Sequence, residues 1–353
     1  MPSISIQATD TLFFRDGRPF SMGDDSFAQG IFPPPPSVLY GALRSLFIAN
    51  GLENGEELND LIASSESLQI QFMAFDDGNG SHYLPLPKDL IVPNQGKDLK
   101  AIPLQLVDKP LYSNSISPKT LKSSYDGKTS DEPHLIGLTS LESYLDGYQE
   151  NIPFQKISDF ITTESKIGIG RDKESNIADG GKLFRIQANR MAKTNGKHTN
   201  KFYFLLDYES LSLPSSGWIN FGGERRVAAF KTAKIFKIPC PEIGSPQFKI
   251  YLSTPAVFEG GWKPENLLKE HGLTLLAAAL DRPLNVGGWD LNLQRPKPMV
   301  QCVPAGSVYY VEAANEEEAK IAAAAIHGQS ISENLNQTDY RAMGFGIAYV
   351  GKI

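Results

Sequence analysis

Residues 10–50 read DTLFFRDGRPFSMGDDSFAQGIFPPPPSVLYGALRSLFIAN, and this stretch decides how the rest of the chain is read. Residues 4–8, just ahead of it, form an apolar strand candidate. A polar, Gly-rich loop follows, in which Asp16 and Gly17 separate Arg15 from Arg18. Prolines 33–36 then fix φ near the polyproline value, giving a stiff spacer expected to stay non-helical. Ser37 is the expected N-cap of a helix over residues 38–48. Val38, Leu39, Ala42, Leu43, Leu46 and Phe47 share one face of it, with Tyr40, Arg44 and Ser45 off the centre of that stripe. A proline-stiffened loop that delivers a strand into a capped helix is costly to explain as filler.

The chain's 353 residues suffice for two ordinary domains, each with its own core. Its 41% hydrophobic and 21% charged content is that of a soluble globular protein. No apolar run approaches the ~20 residues of a membrane helix. The start, MPSISIQATD, lacks the basic and apolar regions of a signal peptide. Cys240 and Cys302 form no C-x-x-C pair, so neither a zinc site nor a disulfide framework is expected, and a reducing cytoplasm fits. Net charge is −6, yet residues 165–237 hold fourteen Lys and Arg against six Asp and Glu. A basic segment on an acidic body points to one local anionic partner, against the plainer reading of a solvated charged surface.

Further along, residues 56–63 suggest a short helix and residues 68–75 an alternating strand. Residues 81–135 carry seven prolines and little periodicity, which reads as an extended, surface-hugging insertion. Residues 138–148 and 156–162 suggest helices. Leu183, Arg185, Gln187 and Asn189 alternate with Phe184, Ile186 and Ala188, which is strand periodicity. Residues 202–208 read as its partner, closed through Asn195-Gly196, so a basic hairpin over 181–208 is expected. Gly222 and Gly223 allow close backbone approach to a phosphate, and Arg225 and Arg226 can fork to its oxygens, unless this is simply a tight turn with surface arginines. Pro239, Pro241, Gly244 and Pro246 mark a boundary. Beyond it come a strand from about residue 247, a helix over 266–280 ending in LLAAAL, and a strand over 307–311. An acidic-started helix over 316–327 and a final strand over 346–350 close the chain.

Standard catalytic patterns are missing from the sequence. There is no G-x-x-x-x-G-K-[ST], no H-E-x-x-H and no G-x-S-x-G. Gly168 and Gly170 look like strand or turn glycines. Asp76-Asp77 and Asp24-Asp25 are loop carboxylates before they are metal ligands. His198 is the best local acid–base candidate, but a single His without partners is a poor one. No cofactor and no metal are expected.

Four stretches together carry a resemblance: RDGRPF with PPPPSVLYGALRS; FGGERR at 221–226; GWDLNLQRPKPM with VPAGSVYY at 288–310; and GFGIAYVG at 344–351. They resemble the RAMP superfamily of CRISPR proteins, and within it the third subunit of the Cmr (type III-B) effector complex. The strand–helix–strand rhythm of both halves suits an α+β fold of two packed ferredoxin-like (RRM-like) βαββαβ domains, at 1–240 and 245–353, and the resemblance implies the same. It further implies a non-catalytic subunit for antiviral defence that grips the repeat-derived 5′ handle of a guide RNA. Such a subunit docks the large polymerase/cyclase-like subunit and a backbone subunit of the complex. The expected phosphate contacts are Arg15, Arg18, Arg44, Arg171, Lys182, Arg185, Arg190, Arg225 and Arg226, with Gly222 and Gly223. Tyr40 and Phe345 are expected to stack on bases. Gly344 and Gly346 resemble the glycine loop that holds RNA backbone, against the alternative of a strand-entry turn with Phe345 in the core. The competing functions are a metal-independent endoribonuclease of the same superfamily and a protein adaptor without RNA.

Overall fold

The computed structural model describes residues 2–15, 27–28, 30–94, 100–110, 117–148, 150–171, 178–195, 198–223, 226–234, 237–290 and 295–353. Alternation in β1 (Ser3–Ala8) places Ile4 and Ile6 in the core, and the strand becomes an inner member of an eight-stranded sheet. The other members are β2 (Gln69–Asp76), β3 (His82–Pro85), β4 (His134–Gly137), β5 (Gln155–Lys156), β6 (Tyr203–Glu209), β7 (Ser216–Asn220) and β8 (Val227–Thr232). Their order is β5-β4-β3-β2-β6-β1-β8-β7, antiparallel throughout. A second antiparallel sheet holds β9 (Gln247–Leu252), β10 (Thr274–Ala279), β11 (Val308–Glu312), β12 (Gln329–Ser330) and β13 (Ile347–Lys352), in the order β10-β11-β9-β13-β12. The protein is thus an α+β molecule with large antiparallel sheets and few helices.

One pattern recurs in both sheets. Four strands stand in the spatial order second, third, first, fourth: β2-β6-β1-β8 in one and β10-β11-β9-β13 in the other. A helix follows the first strand each time, α1 (Pro36–Glu53) after β1 and α4 (Glu265–Glu270) after β9. The third-to-fourth connection carries α5 (Glu316–Ile326) in the second sheet and β7 in the first. Asn315 caps α5 by accepting from the Glu318 N–H, and three glutamates fill its positive first turn.

The helix after the prolines is longer than its periodicity suggests. Pro36 is its first residue, a position where the missing N–H costs nothing, and Pro35 rather than Ser37 is the N-cap. Tyr40, expected off the centre of the apolar stripe, is buried in the core with Leu39 and Leu43. A short α2 (Leu58–Ser65) packs beside α1, and α3 (Leu138–Leu145) lies within the expected 138–148 helix.

Four expectations are corrected by long-range pairing. Residues 274–279, read as helix from their Leu and Ala, form β10, which docks on β11. The basic hairpin joins Thr162–Arg171 to Ala178–Arg190 rather than residues 183–189 to 202–208. Asn195 ends a short strand, Ala192–Asn195, that pairs with His198–Lys201, Gly196 lies outside the described residues, and β6 pairs instead with β1 and β2. Residues 81–135 are only in part a surface wrapping: β3 and part of β4 belong to the main sheet, and Leu84, Leu86, Leu90, Val92 and Ala101 lie in its core, whereas the described residues of 102–134 are half-buried or exposed. The helix expected over 156–162 is a single 3₁₀ turn at Ile157–Asp159.

The core under the first sheet runs on into the second through Tyr251, Tyr310 and Tyr349, which lie on the face turned away from α4 and α5. Strand β9 is consequently buried on both faces, and its one charged residue, Lys249, is buried with the rest. Among the described residues no helix is long and apolar enough to cross a membrane.

Candidate nucleic-acid interface

Asp10 stands two residues beyond the end of β1, and the chain around it is held from both sides. Thr9 Oγ1 donates to the Val227 carbonyl at 2.7 Å. Leu12 and Asn189 exchange two backbone hydrogen bonds, of 2.7 and 2.8 Å. The Gly223 N–H donates to the Phe13 carbonyl at 2.8 Å. Gly222 sits at φ 89°, and a Cβ there would come within 3.0 Å of the same carbonyl oxygen. This glycine pair therefore serves the close approach of the 221–226 turn to its own chain.

That grip collects cations from three distant parts of the sequence around one carboxylate. Arg226 Nη1 donates to Asp10 Oδ2 at 2.8 Å, Arg190 Nη2 to Oδ1 at 3.2 Å, and Lys166 Nζ stands 3.5 Å from Oδ2. Arg190 is also paired through its Nε and Nη2 with the Glu164 carboxylate. A backbone hydrogen bond from Thr11, then Lys166 and Arg226, hold the Asp10 carboxyl below its ordinary range. The hydrogen bond from Arg190 does the same for Glu164, and Glu164 in turn raises Arg190. Three permanent cations thus face two carboxylates at an open edge of the molecule. Their pairs are exposed, so they orient the guanidiniums more than they stabilise the fold.

Arg190 and Arg226 are the expected residues that this cluster unites. Asp10, Glu164 and Lys166 carried no local signal, since their partners lie far away in sequence. Arg185 is exposed on the hairpin across from Ile167, and Arg15 is exposed beside a backbone bridge to Gly30. Arg171 and Lys182 lie in the two hairpin strands. Arg18 and Arg225 are outside the described residues.

The remaining candidates have structural partners. Arg44 donates to Ser65 Oγ at 2.9 Å and stands 5.7 Å over the Tyr40 ring, which joins α2 to α1. Tyr40 is buried, and burial raises its phenol pKa. Phe345 is fully buried against Tyr340, so no ring face is open to a base. Gly344, at φ 84°, packs against Ile70 of β2, and its carbonyl accepts from Thr254 Oγ1 at 2.7 Å. Gly346 donates its N–H to the Pro255 carbonyl at 2.7 Å. The 344–346 turn thus ties β13 to both sheets.

A cleft of about 630 Å³ opens at the far edge of the first sheet, lined in part by Tyr83, Ser140, Phe154, Gln155 and Lys237. None of the expected RNA-contacting residues lines it among the described residues. Among the described residues no group of three or more His, Cys, Asp or Glu could hold a metal ion.

A family model described as CRISPR-associated protein (Cas_Cmr3) matches residues 4–353. No curated protein matches the sequence. Among solved structures, the chain is similar to one in the cryo-EM structure of the Type III-B Cmr-beta complex bound to cognate target RNA. The two share 15% identity over 87% of this chain and 86% of that one, with a TM-score of 0.51, a likeness of fold. It also matches a chain of the same complex with target RNA and AMPPnP, at 15% identity over 87% and 86% and a TM-score of 0.49. A chain of the Csm3-Csm4 subcomplex of the type III-A interference complex matches at 12% identity over 90% and 94%, with a TM-score of 0.35.

Proposed function

Because the chain belongs to the Cas_Cmr3 family of CRISPR-associated proteins, we propose that it is a guide-RNA-holding, scaffolding subunit of a type III-B effector complex. It grips the repeat-derived 5′ handle and docks the large polymerase/cyclase-like subunit and a backbone subunit. The observation that carries the RNA reading is the gathering of Lys166, Arg190 and Arg226 around Asp10. Planar guanidiniums already oriented by carboxylates are prepared for the bidentate geometry of a phosphate, which takes over the role of the carboxylate oxygens. The second-third-first-fourth strand order in each sheet supports reading each half as a ferredoxin-like βαββαβ unit, with β7 replacing the second helix in the first half.

Holding rather than cutting is the chemistry these groups suit. A general acid or base works best with a pKa near the operating pH. Asp10 and Glu164 are pushed down and Arg190 up, away from neutrality. The test is a salt titration of handle-bearing against scrambled RNA in the assembled complex, wild type beside Arg226→Glu. The variant should retain handle RNA less well and lose about 0.7 from its salt slope for each phosphate contact removed. Superimposable curves would exclude Arg226 from the interface. Site-specific cleavage of repeat RNA in EDTA, lost in His198→Ala, would replace the binding reading with a nuclease.

A further inference from the structure

Beside the cation cluster one face of the first sheet is open at its β8–β7 end, from Gln7 outward. At its margin Trp218 of β7 is 67% exposed. It lies opposite Ala229 of β8, which lies opposite Gln7 of β1. Directly opposed residues of antiparallel strands point to the same side, so these three form a row across the sheet. Neighbouring rows are set by Asn220 opposite Val227 and by Ser216 opposite Lys231. The intervening residues, Ile219, Ala228, Phe230 and Ile6, all turn into the core. The small Ala229 leaves a shelf between the indole and the Gln7 amide. At the usual strand spacing, two strands across, that shelf is about 10 Å wide.

We propose that this open face is a base-stacking platform for single-stranded RNA, with Trp218 as the stacking ring and Gln7 reading a base edge. The proposal rests on the RNA reading above and adds to it a base contact beside the phosphate contacts. Three observations favour a base over a protein partner. Arg226 directly precedes Val227, and Thr9 is bonded to the Val227 carbonyl, so the shelf is continuous with the site of the three cations. Around the indole stand Gln7, Asn220 and Lys231 with a single exposed aliphatic, Val227, which falls short of the broad apolar patch typical of protein docking. An amide and an ammonium flanking an exposed ring are the groups that hold a splayed nucleotide: a π-face for stacking, a donor–acceptor pair for the base edge, and a cation for the backbone.

The experiment is equilibrium binding of fluorescein-labelled handle RNA to the full chain across a salt series, for wild type, Trp218→Ala, Trp218→Phe and Arg226→Glu. Loss of one stacked base should weaken Trp218→Ala roughly 5- to 150-fold. Its salt slope should stay that of wild type, because the indole carries no charge, and Trp218→Phe should recover most of the affinity. Trp218 is exposed, so its variants should melt with the wild type. If Trp218→Ala binds like wild type while Arg226→Glu is weakened, the platform is wrong and the RNA reading stands. If wild type itself shows no preference for handle RNA, both fall. If Trp218→Ala keeps RNA affinity but loses a protein subunit on co-purification, the face is a protein interface and the proposal is overturned.

Discussion

Lys249 Nζ lies 4.0 Å from Asp89 Oδ2, with both residues buried where the two sheets meet. Asp89 belongs to the 81–135 segment and Lys249 to β9. Asp89 also accepts from the Tyr144 hydroxyl at 2.6 and 2.7 Å and from the Tyr310 hydroxyl at 2.6 Å. At 4.0 Å the ammonium makes no hydrogen bond to Asp89, and its Nζ has no hydrogen-bond partner among the described residues. It rests instead 3.5 Å over the Tyr144 ring. Burial outweighs the attraction of Asp89 and pulls Lys249 down to about 8.

Lys249→Met should therefore be neutral or stabilising at pH 7, since it keeps the volume, removes an ammonium that burial disfavours despite Asp89, and leaves Asp89 its two tyrosine donors. The ordinary value of 10.5 applies to the unfolded chain, so the penalty is in full force below about pH 8. As pH climbs from 8 towards 10.5 the unfolded state binds more protons than the native state, and wild-type stability rises. Wild type should gain up to roughly 3 kcal/mol on the variant over that window. Other groups titrate alike in both proteins and cancel in the difference. Urea unfolding at pH 7 and pH 10 measures it, and an unchanged margin would mean that the Lys249 pKa is not lowered in the native protein.

Asp89→Ala should be far worse than Lys249→Met. It strands two buried tyrosine hydroxyls and an ammonium at once, a loss of about 3–5 kcal/mol or more. Adding Lys249→Met should recover part of that loss. Strict additivity of the two in thermal melts would show that the residues are uncoupled.

This pair also marks where the sequence stops being legible. Strand alternation in residues 69–76 and the capped, acidic start of α5 are local facts, and both elements form close to where the sequence puts them. Residues 274–279 are good helix formers that become a strand because β11 offers them an edge. Prolines in residues 81–135 hide strands only two to four residues long. The pairing of Ala192–Asn195 with His198–Lys201 is local, but the sequence there cannot say which longer strands lie beyond it. At the candidate site the arginines were visible by type, whereas the carboxylates that gather them were not. Asp10 meets Arg190 and Arg226 across 180 and 216 residues.

Gly344→Ala tests the structural assignment of the last glycine turn. The new Cβ would stand 2.8 Å from Ile70 Cγ2 and adopt a φ of 84°, which L residues avoid. Ile70 is a core residue of β2 and has little room to yield. A loss of about 2–4 kcal/mol in thermal denaturation is expected from the strain and the overpacking. Handle-RNA affinity per folded molecule should not change. A stable variant with weakened RNA binding would return this turn to the interface.

Asp10→Asn separates two roles that a carboxylate among cations can play. If Asp10 occupies the place of a phosphate, removing its charge leaves three cations facing Glu164 alone, and RNA should bind more tightly. The Asn carbonyl can still accept from Arg226, so the guanidinium stays oriented. The salt slope should steepen, by up to about 0.7 if one further cation is released to the RNA. Its neighbours hold the Asp10 carboxyl below its ordinary value of 3.8, so wild type keeps the charge throughout pH 6–8 and the difference should be constant there. As pH falls through the lowered value the carboxyl protonates, the ion pairs with Arg226, Arg190 and Lys166 are lost, and wild type should converge on the variant. Fluorescence anisotropy of handle RNA at several salt concentrations, with thermal melts as the folding control, makes the measurement. Weaker binding by a well-folded Asp10→Asn protein would mean that the carboxylate aims the arginines and that the phosphate does not take its place.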